Sequence, residues 1–256
     1  MQSPIPSKFP RCDALLFLFY QCIMELLEND WRSWKMSYSA LAVFLMEIMG
    51  TLAFASSGAL TGIRKGMDLF GVNVLGIVTA VGGGVIRDVT LGINPPSTFQ
   101  APVYTLCAAA ISTLLFVIVY HNQAILQRRF FCLYERVMTT CDSIGLAAFT
   151  VIGIHTAVSA SYESTFLLLF VGMITGVGGG VLRDVLAGSV PYIFSKHVYA
   201  VASLVGALAC IYLRQAIGDI PSMIAGGFVI FLIRLLAAHY RWNLPRIRQD
   251  KDSASL

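Results

Sequence analysis

The segment Gly76–Gly92, GIVTAVGGGVIRDVTLG, recurs 96 positions later as Gly172–Gly188, GMITGVGGGVLRDVLAG. Eleven of the 17 positions are identical, among them three consecutive glycines and an Arg-Asp pair, and Pro95 and Pro191 follow at the same offset. Both copies sit in apolar stretches long enough to enter a bilayer. A helix that carries three glycines and then two charges is poorly built as a passive wall. It suits the lining of a pathway, and two copies point to an internally symmetric one.

Outward from this motif the repeat continues. Glu47, Gly50, Phe54 and Gly58 stand 95 positions before Asp142, Gly145, Phe149 and Gly153. Both sets follow i, i+3, i+7, i+11, which is one face of a helix. Apolar runs predict membrane spans near residues 39–62, 70–92, 102–120, 138–158, 165–188, 197–213 and 221–238. They are separated by RKGMD, NPPS, HNQAILQRR, SYES, SVP and RQAIGD. Spans one to three then match spans four to six. A unit of three spans is odd, so its second copy enters the membrane from the opposite side, giving an inverted repeat about an axis in the membrane plane. The expected organisation is an N-terminal extension (1–36), two three-helix units (37–131 and 132–216), a seventh helix (217–240) and a basic tail (241–256).

Composition agrees. The 256-residue chain is 57% hydrophobic and only 12% charged, about half the charge of a soluble domain. An all-α polytopic membrane protein with short loops follows. The net charge of +4 reads as topology information in loops and tail rather than a nucleic-acid footprint. None of the six cysteines forms a CxxC or Cys/His cluster, so neither a metal nor a disulfide framework is expected. Residues 1–36 hold Pro4, Pro6 and Pro10 and a short apolar piece. They read as an interfacial or disordered extension, or as a misassigned start before Met36. Arg64, Lys65, Arg128, Arg129, Arg136, Lys196 and the basic tail fall on one side of the predicted topology. The positive-inside rule puts that side, and the C-terminus, in the cytoplasm, with the N-terminus outside.

Three constellations stand out. The triplets Gly82–Gly84 and Gly178–Gly180 lie near mid-bilayer, where they weaken the helix and bare its carbonyls. The reading preferred here is a kink that lines a pore, since broken helices at that depth occur along cavities; the plainer one is close packing through small residues. Arg87–Asp88 and Arg183–Asp184 need partners or water at membrane depth. They serve either as opposed gates on the two sides of the triplets or as structural salt bridges. Glu47 and Asp142 attract a cation or ammonium group, or balance those arginines. Thr79 and Thr175 cap freed carbonyls or offer a hydroxyl to solute, with Ser56 and Ser57 weaker candidates. His155, His197 and His239 lack partners at metal spacing. No phosphate loop, nucleophile elbow or HExxH motif is present, so no catalytic residue and no cofactor is expected.

These motifs carry a resemblance. FASSGA (Phe54–Ala59), RKGMDLFG (Arg64–Gly71), TAVGGGVIRD (Thr79–Asp88), DSIGLAAFTVIG (Asp142–Gly153), TGVGGGVLRD (Thr175–Asp184) and RLLAAHYRWNLP (Arg234–Pro245) resemble the bacterial inner-membrane glycine-transporter-domain proteins. Those proteins are related to the trimeric intracellular cation (TRIC) channels. The resemblance implies seven helices, second and fifth kinked at the triplets, and a homotrimer with one pore per protomer. It also implies a small solute, with glycine preferred and K⁺ through a TRIC-type channel the alternative; a non-transporting structural protein is the second alternative. Glu47 stands where that family commonly has Asp, and residues 1–36 fall outside its pattern.

Overall fold

A computed structural model describes residues 38–121, 131–195, 198–240 and 242. The N-terminal extension, most of the basic tail and several of the charges used to orient the chain lie outside the described residues. Those described form seven long helices: α1 Tyr38–Arg64, α2 Leu69–Leu91, α3 Val103–His121, α4 Phe131–Ser159, α5 Thr165–Leu186, α6 Tyr199–Ile217 and α7 Asp219–Tyr240. Single helical turns at Ser97–Gln100 and Tyr192–Ser195 precede α3 and α6. All seven helices hold a window long and apolar enough to cross a bilayer, and no strand occurs among the described residues.

Local chemistry sets the boundaries. Asp68 caps α2 by accepting from the Gly71 amide at 2.7 Å. Its C-terminal stop is Gly92, left-handed at φ +72°, a conformation that costs an L side chain about 1–2 kcal/mol. The matching glycine after α5, Gly188, is left-handed too, at φ +63°. Two boundaries differ from the sequence expectation. Helix α4 begins at Phe131 rather than near 138, because hydropathy marks where the apolar stretch starts and not where backbone hydrogen bonding does. The expected RQAIGD loop is mostly helix. Gly218, at φ +85°, turns the chain in one residue, and Arg214 Nε donates to the Asp219 carboxylate across that corner.

The inverted repeat is visible as packing. α1 packs on α2, α4 on α5, α1 on α4 and α2 on α5. The matched faces of α1 and α4 meet through Phe54 and Phe149, whose ring centroids lie 5.3 Å apart. Each ring sits over the other helix's glycine: Phe54 covers Gly145 and Phe149 covers Gly50. Helix α7 packs on α6 and α4, with Gly206 and Gly226 at the α6–α7 contact so close that a Cβ on either would approach the other's carbonyl oxygen to 2.8–2.9 Å. Exposed Phe70, Phe166 and Phe228 belong to the apolar surface that lipid covers.

Candidate functional site

The glycine triplets sit where α2 and α5 cross. Gly82 faces Leu182, and Gly178 faces Gly83 and Ile86, so the helices are antiparallel and Arg87 and Arg183 lie on opposite sides of the crossing. A Cβ on Gly83 would overlap the Thr175 carbonyl oxygen, and one on Gly179 would overlap the Thr79 carbonyl oxygen. Helical hydrogen bonding runs unbroken through both triplets. The expected break in the helix, with its bared carbonyls, is therefore not observed. Removing side chains from one helix made room for the other helix's backbone, the small-residue packing of membrane proteins.

Thr79 and Thr175 complete the same contact. Each hydroxyl donates to the carbonyl four residues back, Leu75 and Val171, at 2.6 Å. Neither caps a carbonyl of its triplet, since none is freed. A Cβ on Gly58 would lie 2.6 Å from Thr79 Oγ1, and one on Gly153 would lie 2.7 Å from Thr175 Oγ1. The glycine spacing on α1 and α4 thus admits the threonines of α2 and α5.

Each Arg-Asp pair proves to be an intimate ion pair. Arg87 Nε donates to Asp88 Oδ1, and Arg183 Nε to Asp184 Oδ1, both at 2.8 Å. The second carboxylate oxygens accept backbone amides that start the two short turns: Ser97 N on Asp88 at 2.7 Å and Tyr192 N on Asp184 at 2.9 Å. Both aspartates therefore tie the ends of α2 and α5 to the connections that follow their prolines.

Beyond this matched frame the two ends differ. At one, Asp142 Oδ1 accepts from Arg183 Nη1 at 2.7 Å, and both side chains are fully buried. Ser57 also accepts from Arg183 Nη1. Arg234 of α7 reaches to 3.8 Å from Asp142 Oδ2 and stacks over Tyr199, 4.5 Å from the ring centroid; Arg183 lies over Tyr192 at 5.3 Å. At the other end no ion pair joins Glu47 to Arg87 among the described residues. The Glu47 carboxylate instead accepts from the Tyr104 hydroxyl. It is half-buried and lines an open groove of about 450 Å³ with Ser39, Val43, Phe44, Tyr104 and His155. The third triplet glycines record the same contrast. A Cβ on Gly84 would find only Arg87 Nη2, at 3.9 Å, whereas one on Gly180 would meet Tyr199 OH at 3.0 Å, Asp142 Oδ1 at 3.6 Å and Arg183 Nη2 at 3.8 Å.

Four participants escaped the sequence reading or were underrated in it: Tyr104, Tyr199, Arg234 and Ser57. One signal was available, because Tyr104 and Tyr199 stand 95 positions apart, the offset that separates Glu47 from Asp142. Each supplies a phenol from the third helix of its unit. Arg234 had no such signal, since α7 is not repeated.

The glycine-transporter family model matches residues 44–121 and again 139–215, once for each unit. The UPF0126 inner membrane protein YadS of Escherichia coli is 36% identical over 83% of this chain and 99% of its own length. A UPF0126 membrane protein of Vibrio cholerae is 33% identical over 93% and 92%. Among solved structures, a prokaryotic TRIC channel crystallised in 0.5 M KCl aligns with a TM-score of 0.71 and 32% identity, over 80% of this chain and 99% of that one. A structure reporting the basis of conductance through TRIC cation channels aligns with 0.69 and 33%, over 80% and 97%. The family model and the solved structures describe a transporter and channels, not enzymes. With seven spanning helices in two inverted units and the family pattern across both, the chain belongs to the glycine-transporter (UPF0126) family of multi-pass membrane transport proteins.

Proposed function

We propose that the chain is a pore for monovalent cations such as K⁺, with the path running between α1, α2, α4 and α5 from the Glu47 end to the Asp142 end. The observation that carries this is the likeness, at 32–33% identity over four-fifths of the chain, to channels described as conducting cations. The charge at the Glu47 end supports it: Glu47, Arg87 and Asp88 sum to one negative charge beside an open groove, a favourable entrance for cations. In this reading the α2–α5 crossing at Gly82–Gly84 and Gly178–Gly180 is the constriction. Arg87 and Arg183 gate it, and Asp88, Asp184, Glu47 and Asp142 balance their charge. Thr79 and Thr175 set the spacing of the crossing. In this reading the packing of Tyr199, Asp142 and Arg183 against Gly180 closes the path at the Asp142 end.

The assembly in this proposal is a homotrimer with a pore in each protomer. The C-terminus faces the cytoplasm and the N-terminus the outside, and the repeat units run over 37–131 and 132–216. Glycine, the solute preferred on the family resemblance, becomes the second reading. The description of the family model favours it, and paired Arg and carboxylate groups suit a zwitterion. Purified protein in K⁺-loaded proteoliposomes separates them. Valinomycin-independent K⁺ efflux and single-channel current support the cation pore. Saturable glycine uptake without current overturns it in favour of the carrier.

A further inference from the structure

The two ends of the bundle are built from matched residues, and one cation breaks the match. Arg234 comes from α7, which has no counterpart in the three-helix units. Its side chain is only 4% exposed, with Nη2 3.8 Å from Asp142 Oδ2 and its guanidinium over the ring of Tyr199. With it, Asp142, Asp184, Arg183 and Arg234 cancel in charge. Glu47, Asp88 and Arg87 at the other end leave one negative charge. At the end that holds the additional arginine, Tyr199, Asp142 and Arg183 crowd Gly180; at the other end only Arg87 comes near Gly84.

Within this cluster the Arg234–Asp142 contact is the ion contact made without a hydrogen bond. Asp142 Oδ1 is held by a true hydrogen bond from Arg183, whereas Oδ2 makes none. Its contact with Arg234 is an ion contact longer than a hydrogen bond. Withdrawing Arg234 therefore removes a charge without orphaning a hydrogen-bonded partner on Asp142. The seam that would guide such a movement is also in place. Gly206 and Gly226 bring α6 and α7 into backbone contact, and Gly218 with the Arg214–Asp219 pair forms the corner between them. Arg234 lies two turns beyond Gly226, about 12 Å along the helix, so a small tilt of α7 about that seam displaces it.

We propose that Arg234 is the gate's bolt: a positioning residue that acts through Asp142, holding that carboxylate and Tyr199 across the cation path, and that α7 opens the path by withdrawing it. This rests on the cation-pore reading. Withdrawal would leave the buried Asp142, Asp184 and Arg183 with one negative charge, as Glu47, Asp88 and Arg87 have.

The test is single-channel recording of the full chain in planar bilayers with symmetric KCl. Arg234→Gln removes the charge while keeping an unbranched, polar, hydrogen-bonding side chain, though a shorter one. It should raise open probability at least about fivefold, the low end of typical coupling between sites, with unitary conductance unchanged. Arg234→Lys should restore the wild-type value. A merely structural role would lower the number of active channels and leave open probability alone, and that result overturns the bolt. If Arg234→Gln fails to insert, Tyr199→Leu, which keeps every charge but removes the ring beneath Arg234, must raise open probability; no change there also overturns it. Unchanged gating in the variants of a conducting wild type refutes the bolt alone, while K⁺ current from neither wild type nor variants refutes the cation pore together with it.

Discussion

Gly83 packs directly on the backbone of Thr175, so that a methyl group at residue 83 would occupy the space of the Thr175 carbonyl oxygen. Its counterpart Gly179 stands in the same relation to Thr79. Because the obstacle is backbone, neither helix can yield by rotating a side chain. Gly83→Ala and Gly179→Ala should each destabilise the protein by about 3 kcal/mol, the upper range for overpacking. Gly84→Ala is the control, since its Cβ would meet nothing closer than Arg87 Nη2 at 3.9 Å. It should be neutral or stabilising by up to about 1 kcal/mol through helix propensity. Thermal unfolding of detergent-solubilised protein checks the contrast; equal effects at 83 and 84 would rule out the close crossing.

The two carboxylates at matching positions should differ sharply in what they contribute. Asp142 is fully buried against Arg183, and removing one partner of such a pair strands the other charge, at a cost of about 3–5 kcal/mol. Glu47 is half-buried, and it accepts from a phenol rather than from a cation. Asp142→Ala should therefore lower stability by several times as much as Glu47→Ala, with Glu47→Ala near the 1 kcal/mol scale of a single net hydrogen bond. Matched melting curves of the two variants decide it.

Much of this organisation was legible in the residues, and the reason is duplication. Glu47, Gly50, Phe54 and Gly58 on α1 recur on α4, and in the structure Gly50 takes Phe149, Phe54 takes Gly145 and Gly58 takes Thr79. A face written twice marks a shared structural role, and helical spacing turns it into a surface. What the residues did not disclose was the use of the triplets. Three glycines free space along a helix, but whether a cavity or another backbone fills that space depends on the partner. Here α5 brings glycines of its own. Arg234 was hidden for a different reason: it lies on the unrepeated helix, and its target, Asp142, is 92 residues away in sequence.

Selectivity should respond to Glu47 rather than to the buried cluster. Glu47, Arg87 and Asp88 together leave one negative charge beside an open groove. Glu47→Gln makes this trio neutral while keeping the side-chain shape and a hydrogen-bonding partner for Tyr104. The K⁺/Cl⁻ permeability ratio, read from reversal potentials in asymmetric KCl, should fall about fivefold or more, in line with the loss of an entrance charge. The drop should shrink at high salt, where the Debye length is only about 3 Å at 1 M. A ratio unmoved at low salt would remove Glu47 from the pathway.

The helix stops after the triplets offer a test of the repeat that is independent of transport. Gly92 and Gly188 end α2 and α5 at φ +72° and +63°, and a Cβ at either would meet no atom within 4 Å. Any cost of substitution there is backbone strain alone. Gly92→Ala and Gly188→Ala should each cost about 1–2 kcal/mol, the penalty for an L residue in the left-handed region. Asn, which tolerates that region, should cost less at both sites. The two positions should agree to within about 0.5 kcal/mol and add in the double variant, as distant independent sites do. Unequal costs would mean that the two units do not end their second helices in the same way, and thermal unfolding of the four single variants and the double Ala variant reads this directly.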